Sequence, residues 1–145
     1  MQIKEINSRE DIEKSYKILS QIYDNLNNET YVDDVLNMMQ RGYKMAHVIE
    51  DEDIDNGRSI GVIGVRITRK LMTGKTLEIE DFMIDRKKRG IGVGKMLLRW
   101  AEWQAAVFKC QNITSVLESK REESQRIFSR EGLNIQGVLF GKESS

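Results

Sequence analysis

Apolar residues recur along this chain with two periods, one typical of helices and one typical of strands. Steps of three and four over residues 12–26, and again over residues 32–39, predict two helices. Ser8, with an acidic residue three positions later at Asp11, is a typical start for the first helix. Gly42 is placed to end the second one.

The rest of the pattern alternates strands with helices. Helical spacing predicts helices at 93–108 and at 122–131, and Gly132 closes the second of them. Short runs rich in β-branched residues predict strands at 1–6, 45–50, 60–67, 77–84, 113–117 and 133–140. This order predicts an α/β fold in which helices cover a mixed sheet. The 145 residues contain no linker or repeat, so residues 1–145 are expected to form a single domain.

Composition excludes several classes of function. Lys plus Arg total 23 and Asp plus Glu total 23, and this zero net charge argues against a general nucleic-acid binder. One Cys and one His cannot form a zinc site, so no metal is expected. No apolar run approaches the ~20 residues of a membrane span, and the first residues lack the apolar core of a signal peptide. A cytoplasmic protein without a membrane partner is the expectation.

The charges are nevertheless clustered. Five acids lie in residues 50–55, and this connector is interpreted as a solvated hairpin loop, with recruitment of a cationic substrate as the alternative. Five bases lie in residues 86–95, around glycines at alternate positions, Gly90, Gly92 and Gly94. Such glycines let the backbone turn tightly and expose N–H groups at a helix start, where an anion is favoured.

This segment predicts a cradle for phosphate or pyrophosphate. A Rossmann fingerprint would need glycine where Leu97 stands, and a Walker A loop would need Ser or Thr where Met96 stands. The spacing therefore excludes both of these common nucleotide-binding loops. A glycine-rich turn with a solvated basic flank is the alternative interpretation.

The segment from Arg89 to Gly94 resembles Arg/Gln-x-x-Gly-x-Gly/Ala, the acetyl-CoA pyrophosphate motif of the GNAT acetyltransferase superfamily. Residues 77–84 are similar to the family strand that precedes this motif, and residues 127–133 to its Leu-Tyr-x-Lys-x-Gly-Phe stretch. The resemblance implies a GNAT-type mixed β-sheet of six or seven strands, splayed at its centre and flanked by about four helices. It also implies acetyl-CoA as co-substrate.

The resemblance assigns residues to the cofactor. The pyrophosphate would be held by the glycine loop, which consists of Arg89, Gly90, Ile91, Gly92, Val93, Gly94 and Lys95. Pantetheine and the thioester carbonyl would meet backbone groups of Phe82, Met83 and Ile84. The thiol end would lie near the start of the following helix, at Ser119, Arg121 and Ser124.

Acetyl transfer to an amine needs a proton acceptor, because an alkylamine has a pKa near ~10.4. Related acetyltransferases place a catalytic Glu on the strand before the motif, so Glu80 is the first candidate and Glu78 the second. The alternative is that both are solvated or ion-paired carboxylates without a catalytic role. By alternation the two share one side of the strand, and Asp81 faces the other unless a bulge intervenes. The usual proton-donating Tyr is Phe128 here, and Ser124, one turn earlier, is the candidate substitute.

The predicted function is therefore transfer of the acetyl group from acetyl-CoA to a primary amine of a small molecule or peptide by direct attack. The alternative, motivated by Phe128, is a catalytically weak or inactive CoA-binding sensor or scaffold of the same fold. Members of the family often dimerise, which leaves a homodimer open.

Overall fold

The computed structural model describes residues 1–50 and 57–144, so most of the acidic connector lies outside the described residues. The described elements form the order strand, two helices, three strands, helix, strand, helix. They are β1 (Gln2–Glu5), α1 (Arg9–Leu19), α2 (Tyr31–Met39), β2 (Tyr43–Ile49), β3 (Ser59–Lys70), β4 (Gly74–Ile84), a 3₁₀ turn (Arg86–Lys88), α3 (Val93–Val107), β5 (Asn112–Ser115) and α4 (Glu122–Arg130).

The five strands form one mixed sheet in the order β1-β2-β3-β4-β5. All neighbours are antiparallel except β4 and β5, which run parallel. Pairing between them covers only Thr76 to Ile79 on β4, although β4 continues to Ile84. The two parallel strands therefore separate after Ile79 and leave a gap between their C-terminal ends. None of the described helices is long and apolar enough to cross a membrane.

Helices cover both faces of the sheet. On one face α1 and α2 enclose an apolar cluster with the sheet, and its members include Ile12, Ile18, Val35, Met45, Val62 and Met83. On the other face α3 and α4 enclose a second cluster, which includes Ile63, Leu77, Ile79, Phe82, Leu97 and Ile127. The predicted mixed α/β architecture with four α-helices is confirmed.

Two sequence predictions fail, and in both cases the reason lies in tertiary contacts. The sheet of the described residues has five strands instead of six or seven, because residues 133–140 form no strand. A strand exists only within a hydrogen-bonded ladder, and this segment has none.

The first helix ends at Leu19 instead of Leu26. The chain continues in turns, and Tyr23 and Leu26 still pack on the core, which preserves the apolar spacing.

A β-bulge changes the side-chain alternation of β4. Gly64 of β3 pairs with Asp81, and the next residue, Val65, pairs with Ile79, so Glu80 is the extra residue. Ile79 and Phe82 consequently pack in the same cluster against α3, although a regular strand would point them to opposite faces. The sequence left open whether a bulge interrupts β4. The structure contains one, and it turns Asp81 towards α1 and α2.

Candidate active site

The glycine loop leads directly into α3. Gly92, the N-cap of α3, has a φ of +91°, and Gly90 has a φ of +82°. Both values lie in a backbone region that favours glycine. Met96 donates to the carbonyl of Gly92 at 3.2 Å, so the preceding amides at the helix start have no acceptor within the helix. Free amides and the helix dipole together suit a phosphate group.

The glycines of this loop serve different purposes. A Cβ on Gly92 would have no other atom within 4 Å, so only the backbone conformation requires glycine there. A Cβ on Gly94 would lie 3.0 Å from Ile127 and 3.1 Å from Ile84. Gly94 therefore permits close packing of α3 against α4 and β4, a reason that the motif spacing alone does not reveal.

The basic flank of the loop is partly neutralised. The guanidinium of Arg89 forms an ion pair with Glu123 of α4, and Lys88 forms one with Glu50. Hydrogen bonds from Lys88 and Arg58 lower the pKa of Glu50. An anion that binds Arg89 must therefore compete with the carboxylate of Glu123.

The gap between β4 and β5 receives the half-buried side chain of Arg121. The side chains of Phe82, Met83 and Ile84 are buried, so these residues offer mainly backbone groups to the gap, although the sulfur of Met83 also lies 3.8 Å from the guanidinium of Arg121. Arg121, the N-cap of α4, donates to the carbonyl of Phe82 and, at 3.1 Å, to the hydroxyl of Ser124. Burial lowers the pKa of Arg121.

The remaining predicted residues of α4 and its preceding loop differ in accessibility. Phe128 is buried and packs edge-on against Phe82, with ring centroids 4.9 Å apart. Ser119 is exposed, and its carbonyl accepts a hydrogen bond from Gln125 at 3.0 Å. The structure thus brings Ser124 together with Arg121 and Phe82, and leaves the Ser119 side chain at the surface.

Asp81 is the polar centre of the opposite side of β4. The hydroxyl of Tyr23 donates to Asp81 Oδ1 at 2.7 Å, and that of Tyr43 donates to Oδ2. Burial and the neighbouring Asp81 carboxylate raise the pKa of both tyrosines, which therefore remain protonated donors. In a regular strand the alternation of side chains would place Asp81 on the other face of β4, so the sequence did not predict this cluster. Gly64 within the β3 pattern was the available signal, since a glycine inside a strand often marks a bulge.

Asp81 lines a cavity of about 300 Å³ between β4 and the α1–α2 segment. Three tyrosines, Tyr23, Tyr31 and Tyr43, and a second carboxylate, Asp34, are part of its wall. None of the described residues that line this cavity is basic. Its surface is therefore aromatic and acidic, which suits a cation.

The two predicted catalytic glutamates are not among the described residues that line this cavity, and both form ion pairs. Arg66 Nε lies 2.8 Å from Glu80 Oε2, and Lys70 Nζ lies 3.2 Å from Glu78 Oε1. The hydrogen bond to Glu80 raises the pKa of Arg66. A role for either glutamate as the proton acceptor stays a prediction. The described residues contain no group of His, Cys, Asp or Glu side chains placed to bind a metal ion.

Replacing Gly92 with Ala should weaken CoA binding about tenfold, because a left-handed non-glycine residue costs roughly 1–2 kcal/mol. The free loop relieves this strain by leaving the conformation that exposes its amides, and CoA binding must then reverse that change. Isothermal titration calorimetry with CoA measures this. Gly42→Ala is the matched control, since Gly42 has a φ of +93°, a Cβ added to it would meet no other atom within 4 Å, and it lies far from the loop in sequence. Equal CoA affinity in the Gly92 and Gly42 variants would contradict a binding role for the loop.

Comparison with known proteins places these features in a family. The family model for the acetyltransferase (GNAT) family matches residues 12–132. No curated protein sequence matches the chain significantly. Among solved structures, an acetyltransferase from Trypanosoma brucei is 17% identical with a TM-score of 0.78, and the match covers 99% of this chain and 100% of that one.

Two further structures are similar over nearly the whole chain. The aminoglycoside N-acetyltransferase AAC(6')-Iy in complex with CoA has a TM-score of 0.83 at 16% identity, with 99% of this chain and 95% of that chain covered. A ribosomal-protein-alanine N-acetyltransferase from Brucella melitensis biovar Abortus has a TM-score of 0.81 at 12% identity, with 99% and 100% covered. These likenesses show a shared fold.

The family match extends from within α1 to Gly132, and it therefore includes both the glycine loop and the gap between β4 and β5. Free amides at the start of α3 and glycines with positive φ fit the pyrophosphate group that the family's co-substrate carries. The chain belongs to the GNAT acetyltransferase family and is an acetyl-CoA-dependent acetyltransferase.

Proposed function

We propose that this enzyme acetylates a primary amine of a small, positively charged molecule that binds in the cavity beside Asp81. The observation that carries the proposal is the Asp81 carboxylate, held by two tyrosine hydroxyls in the wall of an acidic, aromatic cavity. An ammonium group is attracted to such a carboxylate and to the faces of aromatic rings. Similarity to two N-acetyltransferases with very different acceptors supports an amine acceptor in general.

A second cavity, of about 450 Å³, is less suited to this acceptor. Its wall includes four basic residues, Lys14, Lys17, Arg58 and Lys87, against one carboxylate, Asp85. That charge would repel an ammonium group. The smaller cavity is therefore the acceptor site in this proposal, since it adjoins β4 where the thioester is expected.

The residues for acetyl-CoA lie on the other side of the same strand. The amides of Val93, Gly94 and Lys95 would hold the pyrophosphate, with Arg89 after release from Glu123. The backbone of β4 from Phe82 to Ile84 would align the pantetheine arm, with Ile91 at the exposed edge of the loop. When bound, acetyl-CoA supplies a thioester whose C–S bond breaks as the amine forms the new N–C bond.

Asp81 is the proton acceptor in this proposal. The amine arrives as an ammonium ion, which has no lone pair, so Asp81 takes one proton before the neutral nitrogen forms the N–C bond. The second proton becomes acidic once the nitrogen has bonded to carbon, and it leaves to the departing thiolate or to water. Tyr23 and Tyr43 keep their protons, because burial raises their pKa, and they orient the carboxylate towards the cavity. The bulge at Glu80 is what places this carboxylate at the acceptor wall.

Arg121 and Ser124 assist the leaving group. A thiol has a pKa near ~8.5, so sulfur can depart as a thiolate without a proton donor when positive charge lies nearby. Arg121 provides that charge at the carbonyl of Phe82, and it also interacts electrostatically with Asp81 and Tyr23. In this proposal, Arg121 and Ser124 compensate for Phe128, which stands where the family usually has Tyr.

The proposal is tested with purified protein, acetyl-CoA and a panel of amines, with acetylated products detected by mass spectrometry. The panel contains linear diamines, polyamines, an aminoglycoside, peptides with a free α-amino group, and monoamines of matched length as controls. We expect turnover on small polycations and much slower turnover on the monoamines. Turnover on peptides alone would contradict the small-molecule acceptor. CoA binding without turnover on any amine would instead support a sensor.

A further inference from the structure

The cavity of about 450 Å³ beside α1 has no role in the function proposed above. Its wall is formed by α1, by the start of β3 and by the 3₁₀ turn that follows β4, and we call it the α1–β3 cavity. Among the described residues, none lines both this cavity and the acceptor cavity, and none of the glycine loop lines it. Its volume is typical of small-molecule sites, which measure roughly 300–1,000 Å³.

Two lysines of this wall are available to an anion. Lys17 of α1 and Lys87 of the 3₁₀ turn are both exposed, and neither forms an ion pair within the described part of the chain. The other two bases of the wall, Lys14 and Arg58, form ion pairs with carboxylates outside it. Because the two lysines approach the cavity from different elements, an anion between them would lower their mutual repulsion.

The one carboxylate of the wall is engaged by donors of the protein itself. Asp85 is 6% exposed, and its Oδ1 accepts from the amide of Lys87 at 3.2 Å and from Nε2 of Gln21 at 3.4 Å. The side-chain oxygen of Gln21 in turn accepts from the amide of Arg86 at 3.2 Å. This corner of the cavity therefore ties α1 to the segment that leads into the glycine loop.

A buried hydroxyl also belongs to the wall. Ser59 is 2% exposed, and its Oγ forms a hydrogen bond with Nδ1 of the completely buried His47. Burial lowers the pKa of His47 to about 4, so at neutral pH the ring carries a single proton. The other ring nitrogen, Nε2, has no hydrogen-bond partner among the described residues.

The position of the ring proton determines what the Ser59 hydroxyl can do. With the proton on Nε2, His47 would bury an N–H group without an acceptor, which folded proteins rarely do. With the proton on Nδ1, the ring donates to Ser59 and leaves only an unpaired acceptor, which is the less costly arrangement. The hydroxyl of Ser59 then keeps its own proton for an acceptor in the adjoining cavity.

We propose that the α1–β3 cavity binds a small organic phosphate monoester, distinct from acetyl-CoA, through Lys17, Lys87 and the hydroxyl of Ser59. Such a group carries a charge of about −1.5 to −2 at pH 7 and three acceptor oxygens, which match two ammonium groups and one hydroxyl donor. The size of the cavity and the apolar side chain of Ile18 in its wall favour an organic ester over free phosphate. The bound ester bridges α1 and the 3₁₀ turn.

Isothermal titration calorimetry with phenyl phosphate tests this site, with CoA present at saturation so that the glycine loop is already filled. We expect Lys17→Gln/Lys87→Gln to weaken binding about tenfold or more, and Ser59→Ala to weaken it about two- to tenfold. Lys75→Gln/Lys142→Gln is the matched control, since it removes the same charge outside the cavity. Circular dichroism verifies that each variant is folded.

Three results of this titration would overturn the site. They are a wild type that does not bind phenyl phosphate, equal losses in the two double-lysine variants, and inorganic phosphate that binds as tightly as the ester. The first would leave the cavity without this ligand. The second would reduce the effect to overall charge, and the third would remove the organic group from the proposal.

A parallel titration asks whether the occupant is a part of CoA itself. Dephospho-CoA lacks only the 3′-phosphate monoester of CoA, so the two compounds differ by the group that the cavity is proposed to bind. We expect Lys17→Gln/Lys87→Gln to bind both with wild-type affinity. Weaker binding of CoA with unchanged binding of dephospho-CoA would identify the 3′-phosphate as the occupant and refute a separate ligand.

Nuclear magnetic resonance reads the ring proton directly, because His47 is the only histidine of the chain. Long-range ¹H–¹⁵N spectra of the untagged protein distinguish the two neutral tautomers by their nitrogen shifts. We expect the proton on Nδ1, both with and without phenyl phosphate. A proton on Nε2 would make Ser59 the donor to the ring, and the hydroxyl could then not donate to a phosphate.

Discussion

Asp81→Asn should lower turnover by about two to four orders of magnitude, the usual contribution of a general base, while CoA affinity stays unchanged. Asparagine keeps the shape of the side chain, and its amide oxygen can still accept a hydrogen bond from one of the two tyrosines, while its NH2 group faces the other and would have to donate to it. It removes the negative charge and the proton acceptor, so the amine both binds more weakly and keeps its proton. Steady-state kinetics with the best amine of the panel, together with calorimetry for CoA, measures both effects.

Glu80→Gln is the matched control for that experiment, because it makes the same chemical change at the adjacent residue. Glu80 already forms an ion pair with Arg66 at 2.8 Å, so we expect a much smaller loss of turnover. The opposite ranking, with Glu80→Gln inactive and Asp81→Asn active, would show that the base is Glu80, as predicted from the sequence. Equal and small effects would exclude both residues.

Gly64→Ala should damage the acceptor site from the neighbouring strand. A Cβ at this position would overlap the hydroxyl of Tyr43 and lie 2.9 Å from Asp81 Oδ2. The Tyr43 side chain is buried and cannot swing away, so the added methyl breaks its hydrogen bond to Asp81. We expect a loss of about 1–3 kcal/mol in the free energy of unfolding, typical of overpacking, and a large fall in turnover. Chemical denaturation and kinetics measure the two effects.

The double variant Gly64→Ala/Tyr43→Phe separates the steric effect from the chemical one. Removing the Tyr43 hydroxyl takes away the atom that the new methyl overlaps most, so stability should partly return. Turnover should stay low, because Asp81 still lacks one of its two donors. At a position without positive φ, Ala in place of Gly is otherwise stabilising by about 0.4–1 kcal/mol. A stabilised and fully active Gly64→Ala would therefore refute the close contact.

Local signals in the sequence predicted the local structure well. The cap at Ser8 is confirmed, because its hydroxyl accepts from the amide of Asp11 at 3.1 Å. The start of α3 at Val93 and the terminal Gly132 of α4 also follow from nearby residues alone. Capping and turn chemistry depend on residues within one or two turns, so a single sequence contains the information.

Features that depend on distant residues could not be predicted in this way. The bulge on β4 is defined by its pairing with Gly64, and only that pairing reveals that Asp81 shares a face with Tyr23 and Tyr43. The β-rich segment 133–140 predicted a strand, yet in the described chain it pairs with no other strand, although β5 has an unpaired edge. The identity of a partner is not a property of the segment itself.

The ion pair between Arg89 and Glu123 joins the cofactor loop to the first turn of α4. That turn follows Arg121, whose guanidinium lies at the carbonyl of Phe82. In the proposed mechanism, binding of the pyrophosphate separates Arg89 from Glu123 and so acts on the same helix start that holds Arg121. We therefore expect a substitution at Glu123 to change cofactor affinity and turnover together, as a coupling through α4 would require.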